Sequence, residues 1–194
     1  MKSLLTSLLI LFVTVVCINS AESKELKYKN TTFTTTVGNV RLQAELADQG
    51  KENSDKVSVT VPAVIFDKPI VIEDVRKVTK SQGKEIDFLV AYHKANIEGD
   101  KEKILSFWHP AEKEEVSKDV NDPELLKHTK EYMTKNPGMT IHGIIKQKSS
   151  ISVITGTDFV FGISIRPKDG KLFLTNKPDN DLELAIIEGS FMKF

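Results

Sequence analysis

The chain has 194 residues, with 27 lysines and arginines against 27 aspartates and glutamates, and a single cysteine, Cys17. Basic and acidic side chains interleave along its length, which excludes the one-sided basic face of a nucleic-acid-binding protein. A lone cysteine excludes an internal disulfide, and if it leaves with the N-terminal segment no thiolate nucleophile or metal ligand remains.

Residues 1–21 have the order of a secretory signal: Lys2, an apolar run from Leu8 to Ile18 broken only by Thr14, then Asn19, Ser20 and Ala21. The run is shorter than the about 20 residues that span a bilayer, and Glu22, Lys24 and Glu25 come at once after it. A cleaved signal peptide, a secreted or periplasmic protein and no membrane span after cleavage are therefore expected. Val16 stands before Cys17, where lipidated signals carry a small residue, and this argues against a lipid anchor. Asn30-Thr31-Thr32 is a glycosylation sequon, relevant only to a eukaryotic route.

Val40, Leu42, Ala44 and Leu46 alternate with polar residues, which predicts a half-buried strand. Val57, Val59, Val61, Ala63 and Ile65 repeat the alternation, with Pro62 marking an edge or bulge, and the polar stretch 48–56 joins the two as a long-looped hairpin. Residues 28–37 and 70–78 are two further strand candidates. A small β-rich N-terminal unit is thus expected over 22–80, stable only when packed on the C-terminal part of the chain.

At Ser81 the period changes. Ile86, Leu89, Val90, His93 and Ile97 form a helical stripe that Phe88, Tyr92 and Ala95 widen, and Gly99 ends it. Asp100 is placed to cap a second helix over 101–108, before Pro110. Asp122 and Pro123 open a third, with Leu125, Leu126, Thr129, Tyr132 and Met133 as its buried side and Asn136-Pro137-Gly138 as its stop. Strands are predicted over 139–147, 150–155, 159–165, 171–175 and 182–191, with Asp169-Gly170 as a hairpin turn. The fold class expected for 81–194 is α+β, three N-terminal helices packed on one face of a curved, cone-like antiparallel sheet.

The segment Phe88-Leu-Val-Ala-Tyr-His-Lys-Ala-Asn-Ile-Glu-Gly-Asp100, together with the short helix to Trp108 and with Pro110, resembles the opening of the nuclear transport factor 2-like superfamily. That superfamily has a cone-shaped α+β fold and includes ketosteroid isomerases and many small exported bacterial proteins. The resemblance covers 81–194 and implies an apolar pocket at the open end of the cone, where some members bind or isomerise small apolar molecules. A short strand common in the family between its second and third helices has no clear counterpart in the charged stretch 109–121.

Candidate chemistry is sparse. No two of His93, His109, His128 and His142 have the i, i+4 spacing of a helical metal site, so no metal ligand and no cofactor are assigned. His93 reads either as a core histidine bonded to a backbone carbonyl or as a pocket base. Tyr92, His93, Trp108 and Tyr132 are the candidate ligand-binding residues, although aromatics at helical spacing also serve plain packing. An isomerase would need a carboxylate base with a buried acid, and Asp158 with Tyr92 or Tyr132 is the one pairing on offer, against a simple turn after Gly156. No nucleophile elbow, phosphate loop or dinucleotide fingerprint occurs, and no catalytic residue is assigned. Glu112, Glu114 and Glu115 read as solvated helix surface. The expectation is an exported, non-enzymatic module that binds a small apolar ligand or an envelope protein, with a homodimer among its states. A small isomerase or dehydratase of the same fold and a structural accessory domain of the envelope are the alternatives.

Overall fold

The computed structural model describes residues 26–192, so the signal residues and Cys17 lie outside it. Six strands, β1 (Lys29–Thr36), β2 (Lys56–Ile72), β3 (Met139–Lys146), β4 (Ile151–Thr155), β5 (Phe161–Lys168) and β6 (Lys171–Leu174), pair antiparallel in chain order into one sheet. Helix α1 (Gln43–Ala47) lies between β1 and β2. Four helices are inserted between β2 and β3, namely α2 (Lys84–Glu98), α3 (Lys101–Ser106), α4 (Lys113–Asn121) and α5 (Pro123–Lys135), and α6 (Asp181–Phe191) comes after β6. The α+β class with an antiparallel sheet holds. The order of three helices and then a sheet does not: two strands come first, and β2 pairs along β3, so the early strands and the late ones share one sheet.

Two predicted strands are helices. The alternation at 40–46 gives way to α1 because Gln-Ala-Glu-Leu-Ala is composed of strong helix formers, and only Val40 and Leu46 of its apolar set are buried. Residues 182–191 form α6, whose residues from Leu184 to Gly189 are all buried. A short continuous apolar run carries no period that separates strand from helix. The signal that does separate them is Asn180 with Glu183, since the Asn180 side chain accepts the Glu183 amide at 3.0 Å and caps the helix. The strand candidate at 57–65 and the first residues of that at 70–78 are one strand, β2, whose register with β3 shifts between Ile65 and Ile70; the rest of 70–78 is not strand, and Val75–Lys77 is a turn of 3-10 helix capped by Asp74. Pro62 is internal to β2, one residue before the β3 pairing begins at Ala63, so its missing N–H removes no ladder bond.

Adjacent residues of the central strands are buried on opposite faces. On the front, Ile144, Val153 and Ile165 pack against Ile86, Leu89 and Val90 of α2. On the back, Ile145 and Ile154 pack with Phe33 and Val61 against Leu184 and Ile187 of α6, each burial contributing roughly 1.5–3 kcal/mol. The other side of α6, Ala185 and Ile186, is covered by Val37, Val40 and Leu46. Helices α3, α4 and α5 close a smaller cluster of Ala95, Ile104, Val116 and Val120 in front. The apolar side predicted for α5 is only partly covered: Leu125 is 44% and Tyr132 64% exposed, because α5 packs on α2 and α4 from outside.

Helix α6 carries one charge inward. Glu188, 4% exposed, accepts the Gly162 amide and the Arg41 Nε, both at 2.8 Å. Arg41 also meets Asp181 on the first turn of α6, and these hydrogen bonds, Asp181 foremost, hold its pKa above the ordinary value. Removing Arg41 leaves a buried carboxylate without its cation. Arg41→Met is expected to lower stability by about 2–3 kcal/mol, below the cost at a fully buried pair because the guanidinium is partly solvated. Asp181→Asn, at an exposed pair, is expected to cost less than about 1 kcal/mol. Urea denaturation of the two variants checks the ranking.

Candidate functional site

The end of α2 and the chain reversal after it place the aromatic residues. Gly99 adopts φ 73°, the left-handed conformation that ends α2. Asp100 then caps α3, its Oδ1 accepting the Lys103 amide at 2.9 Å. Helix α3 delivers Phe107-Trp108-His109 to the outer edge of β6, where the Leu174 N–H donates to the Phe107 carbonyl at 2.7 Å and the His109 N–H to the Leu174 carbonyl at 2.9 Å. Trp108 is thereby bridged to Leu174 in parallel. Tyr92 stands edge-on to both Phe107 and Trp108, with ring centroids 5.7 and 6.4 Å apart.

The Tyr92–Trp108 pair is the wall between two hollows. One, of about 410 Å³, extends over Gly162, Ser164 and Leu184, with Arg41 and Asp181 among its lining residues. The other, of about 320 Å³, lies among the helices and is lined by Asn96, Ile104, Val116, Val120 and Leu126. Asn176 borders both. A Cβ at Gly162 would stand 2.7 Å from the Leu184 Cδ1, so a larger residue here would push that leucine aside.

Asn176 is held by a carboxylate that the sequence places in a charged run. Glu112 is 4% exposed rather than solvated; it accepts the Thr175 hydroxyl at 2.6 Å and the Asn176 backbone N–H at 2.7 Å. The wall is otherwise uncharged. Burial raises the Tyr92 pKa, opposed by the nearby Asn96 and Trp108 side chains, so the phenol stays protonated. The Trp108 Nε1–H is buried; the Tyr92 hydroxyl is within its reach, but the two do not make a hydrogen bond of normal geometry, and no other protein group accepts it. Arg41 is already neutralised by Glu188 and Asp181, and Asp119, on the helical hollow, is exposed. The arrangement can hydrogen-bond an uncharged ligand.

Of the four predicted site residues, the structure brings Tyr92 and Trp108 together. His93, on the same helix, is half-buried and its Nε2 lies 3.2 Å from the Asn136 carbonyl, as the backbone-bonded reading has it. It lines neither hollow. Tyr132 sits on the outer side of α5 and also lines neither. Asp158 is exposed in the bend after Gly156, away from both hollows. Asn96, Glu112 and Asn176 had no sequence signal beyond Asn96 lying one helical turn from Tyr92. Among the described residues no group of three His, Cys, Asp or Glu is placed to hold a metal ion.

A larger hollow, of about 610 Å³, opens on the other side of the segment 178–184, between Tyr28, Lys146, Gln147, Asp179 and Glu183. Two of its polar side chains are engaged: Gln147 donates to Asn180 and Glu183, and Asp179 accepts from Ser149 and Ser150.

Compared with known proteins, the chain matches no family model, and neither a curated protein nor a solved structure is similar enough to count as a relative.

Two measurements check this geometry. Glu112→Ala leaves the Asn176 N–H and the Thr175 hydroxyl without their acceptor and is expected to cost about 1–3 kcal/mol in denaturant unfolding. Burial pushes the His93 pKa below its ordinary 6.5, outweighing the hydrogen bonds to Asn136 and Met133 and the charge of Asp74. The unfolded chain therefore takes up this proton at higher pH than the folded one, and stability is lost as pH falls from the ordinary value towards the folded one. His93→Gln is expected to flatten the pH dependence of the urea midpoint in that window, and an unchanged slope would contradict the burial.

Proposed function

We propose that the protein is an exported, non-enzymatic binding module whose ligand is a small, uncharged, largely apolar molecule with a hydrogen-bond-accepting oxygen, held against Tyr92 and Trp108. The observation that carries this reading is the buried indole N–H of Trp108, which makes no hydrogen bond of normal geometry even with the neighbouring Tyr92 hydroxyl, at the junction of two hollows. A buried donor without an acceptor costs about 1–3 kcal/mol, and a ligand oxygen relieves that cost. Apolar walls with a few convergent polar groups are the usual makeup of a small-molecule site, and the Tyr92 hydroxyl and the Asn176 carboxamide supply the others. Export rests on the order of residues 1–21; no helix of the described residues is long and apolar enough to cross a membrane. Kinship with the nuclear transport factor 2-like superfamily and its cone belongs to the same proposal. Its support is the α2–Gly99-Asp100–α3 turn ending at Phe107-Trp108 and laid against an antiparallel sheet.

Trp108 is the only tryptophan, so its fluorescence reports on the site alone. Native mass spectrometry of the protein from its own source is expected to show a bound small molecule, and titration with neutral medium-chain ketones and lactones to shift the emission saturably. Trp108→Phe keeps the ring packing and removes the N–H. It is expected to weaken the tightest binder of that series about tenfold, read by calorimetry. No co-purified mass together with emission indifferent to the whole series would sink the reading.

A further inference from the structure

The two edges of the sheet are treated differently. Strand β6 is four residues long and starts at Lys171. Its last residue, Leu174, is bonded through both backbone groups to the segment that carries Trp108. Strand β1, at the other edge, is eight residues long. Its register with β2 runs unbroken from Lys29 opposite Ala63 to Thr36 opposite Lys56. From Asn30 to Thr36 it has no charge, no proline and no bulge, which are the devices that ordinarily protect an open edge.

The pairing at the end of β1 shows which backbone groups are open. The Val37 N–H donates to the Asp55 carbonyl at 2.9 Å, in line with the β1–β2 register. In an antiparallel ladder bonded pairs alternate, so odd-numbered residues of β1 bond to β2, and Asn30, Thr32 and Thr34 point their N–H and C=O groups away from it. Among the described residues nothing else takes these groups. The stretch Asn-Thr-Thr-Phe-Thr-Thr-Thr, 30–36, also reads nearly the same in both directions about Phe33.

We propose that two copies of the chain join through β1, antiparallel about a twofold axis at Phe33, into one continuous sheet. That axis sets Thr32 opposite Thr34 of the second copy, Thr31 opposite Thr35 and Asn30 opposite Thr36, and leaves Lys29 outside the paired stretch. No like charges are opposed. Hydroxyl pairing across strands is already the pattern between β1 and β2, where Thr32 meets Thr60 at 2.8 Å and Thr34 meets Ser58 at 2.7 Å. A second copy is the occupant that this near-palindrome fits, since a twofold contact requires a self-complementary patch. The contact is independent of the Tyr92–Trp108 hollows, which lie towards the opposite edge of the sheet.

Sedimentation equilibrium of the purified natural form tests this. The wild type is expected to be a dimer. Thr34→Pro removes an outward N–H from an edge strand, where proline is tolerated, and is expected to sediment as a monomer that still unfolds cooperatively, with a melting temperature no longer dependent on protein concentration. Thr32→Lys with Thr34→Lys opposes like charges across the axis and is expected to weaken the dimer at least about tenfold. Thr32→Glu with Thr34→Lys sets Glu opposite Lys twice and is expected to restore it, which only the stated register allows. A wild type that stays monomeric at its highest soluble concentration, a Thr34→Pro dimer, or failure of the charge swap to restore association overturns the proposal.

Discussion

Neighbouring residues on β3 and β4 must both be kept dry, although a strand sends them to opposite sides. Ile144 and Ile145, and Val153 and Ile154, are all fully buried, so each face of the sheet needs its own covering layer. Helix α2 provides one and α6 the other. The remaining architecture answers this demand. A bulge in β3 at His142 turns Ile141 to the same side as Ile144. Gly162 lets α6 approach closely enough for Leu184 to reach the sheet, and α1 with the turn before it covers the outer side of α6.

The candidate site arises where the front layer stops short. Helix α2 covers the middle of the sheet, and the chain then reverses at Gly99 and returns to β6 through α3. The Trp108 segment must both seal the β6 edge and turn towards the third and fourth helices, so its side chain is held by backbone pairing rather than by close packing on all sides. The buried indole N–H is left without a hydrogen bond of normal geometry. Buried carboxylates secure the surroundings: Glu112 anchors the loop after β6, and Glu188 ties α6 to β5 and to Arg41. Both are engaged in structural bonds, and the wall between the hollows is left with neutral donors and acceptors.

Much of the front of the molecule is legible from local chemistry. Asp100 and Asp122 cap the helices they precede, Gly99 terminates α2 with positive φ, and Asp169-Gly170, both with positive φ, makes the tight turn between β5 and β6. These features depend on a few adjacent residues, and so a sequence displays them. The back layer is not legible in the same way. Alternation at 40–46 imitates a strand, and a helix buried all round, as α6 is, has no polar face to betray its period. Of the site, Tyr92 and Trp108 stood out because they are large and apolar on amphipathic helices. Glu112 and Asn176 did not, for their importance lies in a contact across 64 residues of chain.

The placement of α6 also shapes how the molecule comes into being. The Thr35 hydroxyl on β1 donates to the Gly189 carbonyl, a contact spanning 154 residues, and every strand is made before the helix that shields its rear surface. Phe33, Ile145 and Ile154 find their cover only when that segment docks. Contacts so far apart in sequence slow folding, a schedule suited to the proposed export, in which a chain stays unfolded while it is threaded through a membrane pore.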